Sequence, residues 1–164
     1  MLLNSTNSNL VRSPDWPRSV EKYTADEGNY GNCWRFALDC LEVPVLQGRT
    51  CYSDNTGVVE GIFDALQTEG LSPRYLSDVV EKAPEEMVII IYTYDYQRWT
   101  WLNSEFPTTV HEVHLARVEL DGTVVEKPGK DPAQVSSIEE IHDRILSEDG
   151  VDARPRFIAI RKPE

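Results

Sequence analysis

The chain has 164 residues, of which 40% are hydrophobic, and its 28 acidic residues against 16 basic ones give a formal net charge of −12. This length and hydrophobic content predict one globular domain and exclude an intrinsically disordered chain. The acidic balance argues against nucleic acid or an anionic membrane as a partner.

We expect a flexible N-terminal arm over residues 1–22 and a single domain over residues 23–164. The first residues lack the basic and apolar regions of a signal peptide, and no apolar run reaches the roughly 18 residues of a membrane span. This predicts a cytoplasmic protein, which would act elsewhere only after phage lysis or specialised secretion. The three cysteines, Cys33, Cys40 and Cys51, contain no C-x-x-C pair. We expect all three to be reduced, although one disulfide with one free thiol also fits the count.

The first predicted helix begins at Cys33, directly after a polar, glycine-rich loop that starts at Gly28. A cysteine in the first turn of a helix lies among exposed amide groups at the positive end of the helix dipole, which favours the reactive thiolate. Free cysteines are also often buried as small apolar residues. This stretch alone leaves both interpretations open.

Three helical segments are predicted before the first strong strand. The Cys33 helix ends near Leu41 to Val43, because Pro44 follows. A second helix runs from about Thr56 to a C-terminal cap at Gly70, and a short helical segment is predicted over residues 75–80.

The second half of the chain predicts a sheet. Residues 87–94 are continuously apolar and β-branched, which indicates a central strand covered on both faces. Residues 95–109 are predicted as a loop that either lines a cleft or forms a partly buried connection. Residues 114–120 and 123–127 form a hairpin around Asp121-Gly122.

A late helix and a last strand complete the predicted elements. Ser136 and Glu139 suggest a capping box for a helix over residues 138–146, and residues 156–160 form the last strand. Helices followed by an antiparallel sheet with one late helix are typical of the α+β class.

A catalytic Cys33 needs a histidine base held by a third group. Of the three histidines, His114 is the strongest candidate because it opens a predicted strand that can face a helix N-terminus. His111 lies just before that strand, and His142 lies on the polar flank of the late helix.

These residues carry a resemblance to a known family. Asn32-Cys33-Trp34, the strand starting at His114 and the Asp-Gly hairpin resemble the NlpC/P60-like branch of the papain superfamily. They also resemble an uncharacterised bacterial and viral group with an Asn-Cys-aromatic motif and a His, Asp-Gly-Thr, Lys-Pro-Gly motif. The resemblance implies a papain-like catalytic domain. It also implies an orienting residue twelve positions after His114, which is Glu126, where that group has a histidine.

The hairpin register tests the role of Glu126. With a two-residue loop, Glu126 pairs with Arg117 and forms a cross-strand salt bridge pointing away from His114. With a three-residue bulged loop, Glu126 pairs with Ala116 and shares the face of His114. The reserve candidates for the third group are Asp121, Asp95 and Asn103.

The resemblance implies a thiol-dependent hydrolase of amide bonds, a peptidase or amidase that requires no cofactor. Its substrate would be a peptide, a protein or peptidoglycan peptides, as expected of a bacteriophage protein or a bacterial effector. Deamidation and transglutamination use the same chemistry and remain alternatives. The side chain of Asn32 or Tyr30 would stabilise the oxyanion beside the Cys33 amide. The expected cleft-lining residues are Trp34, Trp99 and Trp101.

Two further classes stay open. His111-Glu112-Val113-His114 is one residue short of the metalloprotease H-E-x-x-H motif, and the cysteines lack zinc-ligand spacing, so no metal site is predicted. A non-catalytic acidic binding or host-interaction protein on the same fold, with Cys33 merely buried, is the other alternative.

Overall fold

The computed structural model describes residues 33–38, 57–100, 103–128, 133–148 and 150–161, and they form an α+β fold. The predicted arm at residues 1–22 lies outside this part of the chain. The helices are α1 (Cys33–Leu38), α2 (Val58–Thr68) and α3 (Ile138–Ser147). The strands are β1 (Ser72–Leu76), β2 (Glu86–Thr100), β3 (Asn103–Val118), β4 (Val124–Glu126), β5 (Gln134–Val135) and β6 (Val151–Arg161).

The described strands form one antiparallel sheet in the order β1-β6-β2-β3-β4-β5. The apolar run of β2 lies between β6 and β3, and residues 87–92 are fully buried. The prediction of a central strand covered on both faces is therefore confirmed. No helix in the described part of the chain is long and apolar enough to cross a membrane.

Each face of the sheet carries its own apolar core, because successive side chains of a strand point to opposite faces. The face covered by α1 and α2, here the α1/α2 face, includes Ala37, Val58, Val59, Ile62, Leu66, Met87, Ile89, Ile91, Val113, Leu115, Ile158 and Ile160. The face covered by α3, here the α3 face, includes Leu76, Val88, Ile90, Tyr92, Ala116, Val118, Ile141, Ile145, Phe157 and Ala159.

The β3–β4 hairpin has a three-residue loop. The Glu119 amide donates to the Thr123 carbonyl at 2.9 Å, and the Gly122 amide donates to the Glu119 carbonyl at 2.9 Å. Gly122 has φ of 91°, a left-handed conformation that glycine adopts without steric cost. This is the bulged hairpin geometry. It pairs Ala116 with Glu126, as the second of the two predicted registers requires.

Three predicted elements are wrong. Residues 95–109 are not a loop, because β2 continues to Thr100, β3 begins at Asn103, and the two strands pair along most of this stretch. His114 therefore lies well inside a strand and does not open it. Residues 75–80 include the end of β1, and a short 3-10 turn follows at Val79–Glu81.

The capping box of α3 is displaced by one residue. It is formed by Ser137 and Glu140, and not by Ser136 and Glu139. This displacement leaves the Ser136 hydroxyl available for the site described next.

Candidate functional site

A buried carboxylate, Glu126, is the centre of a polar cluster on the α3 face. His114 Nε2 lies 2.8 Å from Oε1, and the Ser136 hydroxyl donates to Oε2 at 2.6 Å. Arg144 of α3 donates from both terminal nitrogens, with Nη1 2.7 Å from Oε2 and Nη2 bound to Oε1. Gln134 Nε2 adds a longer contact of 3.3 Å to Oε2. The cluster therefore joins β3, β4, α3 and the segment that leads into α3.

Glu126 is ionised in this environment. Burial alone would raise the pKa of its carboxyl group, but the hydrogen bonds from His114, Arg144 and Ser136 outweigh burial and lower that pKa well below its ordinary value. A carboxylate only accepts hydrogen bonds, so the proton between His114 and Glu126 belongs to Nε2 of the imidazole. The tautomer of His114 follows from this assignment.

The second ring nitrogen of His114, Nδ1, has no hydrogen-bond partner among the described residues. The whole residue is only 7% exposed. Buried polar atoms are normally paired, and leaving one unpaired typically costs about 1–3 kcal/mol. A buried imidazole that is held by a carboxylate at one nitrogen, and has no partner at the other within the described part of the chain, has an arrangement that can serve a general base.

The helix that carries Cys33 is anchored to the sheet by Arg117. The Arg117 guanidinium lies 4.3 Å from the centre of the Phe36 ring, and Nη1 donates to the Phe36 carbonyl. Its Nε donates to Glu119 Oε2 at 2.9 Å. Arg117 therefore binds α1 and its own strand neighbour, and the predicted alternative of an Arg117–Glu126 salt bridge is wrong.

Cys33 is 1% exposed and disulfide-bonded, and its partner lies outside the described residues. The expectation that all three cysteines are reduced is therefore wrong. A sulfur in a disulfide has no proton to give to a base and is not a nucleophile.

The described contacts place α1 and the His114 ring on opposite faces of the sheet. Ala37 of α1 packs with Leu115, whereas Ala116, next along β3, packs with Ile141 of α3. His114 lies two residues before Ala116 and bonds to the cluster under α3, so its ring shares the α3 face. The predicted His114–Glu126 pair is present, but in this arrangement His114 does not face the helix that begins at Cys33.

Several other predicted site residues fall outside the description. Asn32, Tyr30 and Trp101 lie outside the described residues, and so do the side chains of Trp34 and Trp99. Their expected roles stay predictions.

Two of the three reserve candidates for the third group have other hydrogen-bond partners. Asp95 Oδ1 lies 2.6 Å from His111 Nδ1, and Asp121 accepts from the Thr123 amide in the hairpin loop. Neither bonds to His114. The side chain of Asn103 lies outside the description.

No group of three or more potential metal ligands occurs within the described ranges. His111 and His114 are three residues apart on β3, so their side chains point to opposite faces of the strand. These two histidines therefore do not face a common site.

Sequence reasoning missed Ser136 and Arg144 as members of the site. Ser136 was assigned to a helix cap. Arg144 had a usable signal, because it is a basic residue between the inward-facing Ile141 and Ile145 of α3. A charged side chain on the apolar flank of a helix usually has a buried partner of opposite charge.

In comparisons with protein-family models, with curated proteins and with solved structures, nothing matched this chain.

Proposed function

We propose that the chain is a hydrolase of amide bonds whose acid–base group is the His114–Glu126 pair. One observation carries the proposal: His114, which is 7% exposed, donates from Nε2 to a buried carboxylate, and its Nδ1 has no hydrogen-bond partner among the described residues. Glu126 fixes the imidazole tautomer, and Nδ1 is the atom that exchanges a proton with the nucleophile or the leaving amine.

The nucleophile in this proposal is the Cys33 thiol, and the disulfide-bonded form is inactive. Reduction of the disulfide by an external thiol, which is itself oxidised to a disulfide, restores the Cys33 thiol, and α1 must leave its place on the α1/α2 face before Cys33 can meet His114. His114 Nδ1 then takes the thiol proton, the thiolate attacks the amide carbonyl, and the leaving amine takes that proton from His114 as the C–N bond breaks. Water next attacks the thioester and gives a proton to His114, the C–S bond breaks to release the acid, and the proton returns to the Cys33 sulfur.

The proposed substrates are peptides, proteins or peptidoglycan peptides, since each contains amide bonds. A side-chain amide as substrate would make the reaction a deamidation, and an amine in place of water would make it a transglutamination. A disulfide persists most readily in an oxidising compartment.

Thiol reactivity tests the proposal without a known substrate. The reduced protein is treated with iodoacetamide at pH 6–8, and alkylation of Cys33, Cys40 and Cys51 is followed by mass spectrometry. We expect Cys33 to react at least about tenfold faster than the other two, because a thiol beside a general base is largely a thiolate near neutral pH, whereas an ordinary thiol is not. His114→Gln should remove that advantage, and His142→Gln, on the same face, is the matched control. Equal rates for the three cysteines would refute Cys33 as the nucleophile.

The second candidate is a non-catalytic acidic binding protein. A specific observation favours it: Cys33 is in a disulfide, and its helix packs on the face opposite to His114. The net charge of −12 would suit a basic partner. In this case Cys33→Ser should lower the stability of the oxidised protein, and the reduced protein should show no rapidly alkylated thiol.

A further inference from the structure

The Glu126 carboxylate is held by more donors than the orientation of a histidine requires. Arg144 binds both carboxylate oxygens, and Ser136 donates to Oε2 at 2.6 Å. Glu126 itself is 0% exposed, whereas the Arg144 side chain retains 27% exposure. Arg144 reaches the carboxylate from α3, eighteen residues further along the chain.

The charge of Arg144 decides what Glu126 does to His114. A lone buried carboxylate beside an imidazole favours the imidazolium, because the positive ring neutralises it. An imidazolium has no lone pair and cannot accept a proton. Arg144 already supplies a positive charge to Glu126, so the pair of side chains is neutral without a proton on His114 Nδ1.

We propose that Arg144 and Ser136 are positioning residues: they hold the Glu126 carboxylate in place and pair its charge, so that Glu126 orients the His114 ring through Nε2. This inference rests on the proposed function for its catalytic meaning. Neither residue touches the reacting atoms, and both act through Glu126.

Other charged or titratable groups near the pair do not replace Arg144. Tyr92, the register neighbour of His114 on β2, donates its hydroxyl to the Ile138 carbonyl at 3.1 Å. Burial, together with the charges of Glu126 and Glu139, raises the pKa of Tyr92 to about 12, so its phenol stays protonated. The His142 ring lies 6.4 Å from the Tyr92 ring. Among the described residues, Arg144 and His114 are the basic side chains that bind Glu126.

Histidine NMR measures this effect directly in the oxidised, full-length protein. With ¹⁵N-labelled histidine, we expect the neutral form of His114 to carry its proton on Nε2, the nitrogen that faces Glu126. Arg144→Met should move the titration midpoint of His114 to higher pH by about one unit or more, because a nearby cation is lost. Arg144→Lys keeps the charge and should restore most of the wild-type midpoint. Ser136→Ala removes a neutral donor and should move it less.

The control variant is Arg161→Met, which removes an exposed arginine from its 2.7 Å pair with Glu85 on a different part of the sheet. It should leave the His114 midpoint unchanged. An unchanged midpoint in Arg144→Met, or an equal shift in Arg144→Lys and Arg144→Met, would overturn the positioning role. If Arg144→Met does not fold, Arg144→Gln, which also removes the charge but keeps a hydrogen-bond donor, takes its place: it should move the midpoint more than Arg144→Lys does, and an equal shift in these two variants would overturn the positioning role.

A second readout separates this inference from the proposed function. The reduced protein is assayed with p-nitrophenyl acetate, whose thioester intermediate needs a neutral His114 for hydrolysis. We expect the acidic limb of turnover to move upward in Arg144→Met by the same amount as the NMR midpoint. Absence of Cys33-dependent turnover in the wild type would refute the hydrolase proposal alone. A moved NMR midpoint with an unmoved acidic limb would refute His114 as the base of the proposed hydrolase and would leave the positioning role of Arg144 standing.

Discussion

Replacing Glu126 by glutamine keeps the shape of the side chain and removes its charge. An amide offers one oxygen and one NH₂ group, so one of the two oxygen positions becomes a donor. At Oε1 the new donor would face His114 Nε2 and Arg144 Nη2, and at Oε2 it would face Arg144 Nη1 and Ser136 Oγ. In either orientation, the NH₂ group of the glutamine therefore faces two donors whose hydrogen bonds the carboxylate of the wild type accepts.

The cost follows from the burial of the site. Breaking a buried ion pair by removing one partner typically costs about 3–5 kcal/mol. Two lost hydrogen bonds to a charged group, at about 1.5–3 kcal/mol each, give a similar figure. For a chain of this size that is a fall in melting temperature of about 6–20 °C. Urea denaturation followed by tryptophan fluorescence measures the free energy directly.

Glu86→Gln is the matched control for Glu126→Gln. Glu86 is also a buried carboxylate held by an arginine, with Arg74 Nε and Nη2 each 2.7 Å from its oxygens. The Arg74 side chain is 49% exposed and can turn into water. We therefore expect a smaller loss, about 1–2 kcal/mol. If Glu126→Gln lowers the free energy of unfolding less than Glu86→Gln does, the side chains around Glu126 do not form a buried hydrogen-bonded network.

The stability difference between the wild type and Glu126→Gln has a defined pH dependence. The pKa of Glu126 is lowered in the folded state, so its contribution to stability is present above its unfolded value of about 4.3 and is lost as pH falls below it. The stability difference between wild type and Glu126→Gln should be largest near pH 5–8 and should narrow below about pH 4. A difference that stays constant down to pH 3 would contradict the lowered pKa.

The remaining predictions concern packing. Gly150→Ala should destabilise the protein by about 1–3 kcal/mol, because a Cβ there would lie 2.6 Å from Ile145 Cγ2 and 2.7 Å from the Ile145 carbonyl oxygen. Gly61→Ala, in helix α2 with no atom within 4 Å of the added Cβ, should be neutral or stabilising by about 0.5–1 kcal/mol, and thermal melts of both variants check the contrast. Arg117→Met should cost about 3–5 kcal/mol and loosen α1, since it removes the hydrogen bond to Phe36 and the ion pair with Glu119. Hydrogen exchange of the α1 amides would show protection equal to the wild type if that anchor is unimportant.

The local sequence pattern was sufficient to predict much of the sheet. The continuous β-branched run over residues 87–94 indicates a strand buried on both faces, and Asp121-Gly122 marks the hairpin. Both signals depend only on neighbouring residues. The two possible hairpin loop lengths also limited Glu126 to two registers, which place its side chain on opposite faces because a shift of one residue reverses the face.

Tertiary structure decided what those signals left open. The bulge at Gly122 selected the register that joins Glu126 to His114, and α3 brought Arg144 to them from a distant part of the chain. The face on which α1 packs depends on contacts between segments far apart in sequence, such as the hydrogen bond from Arg117 to the Phe36 carbonyl. Periodicity along one segment records which of its residues are buried but not the segment that buries them. The family resemblance implied the His114–Glu126 pair and the hairpin left its register open, whereas only the fold shows that the helix beginning at Cys33 packs on the other face of the sheet.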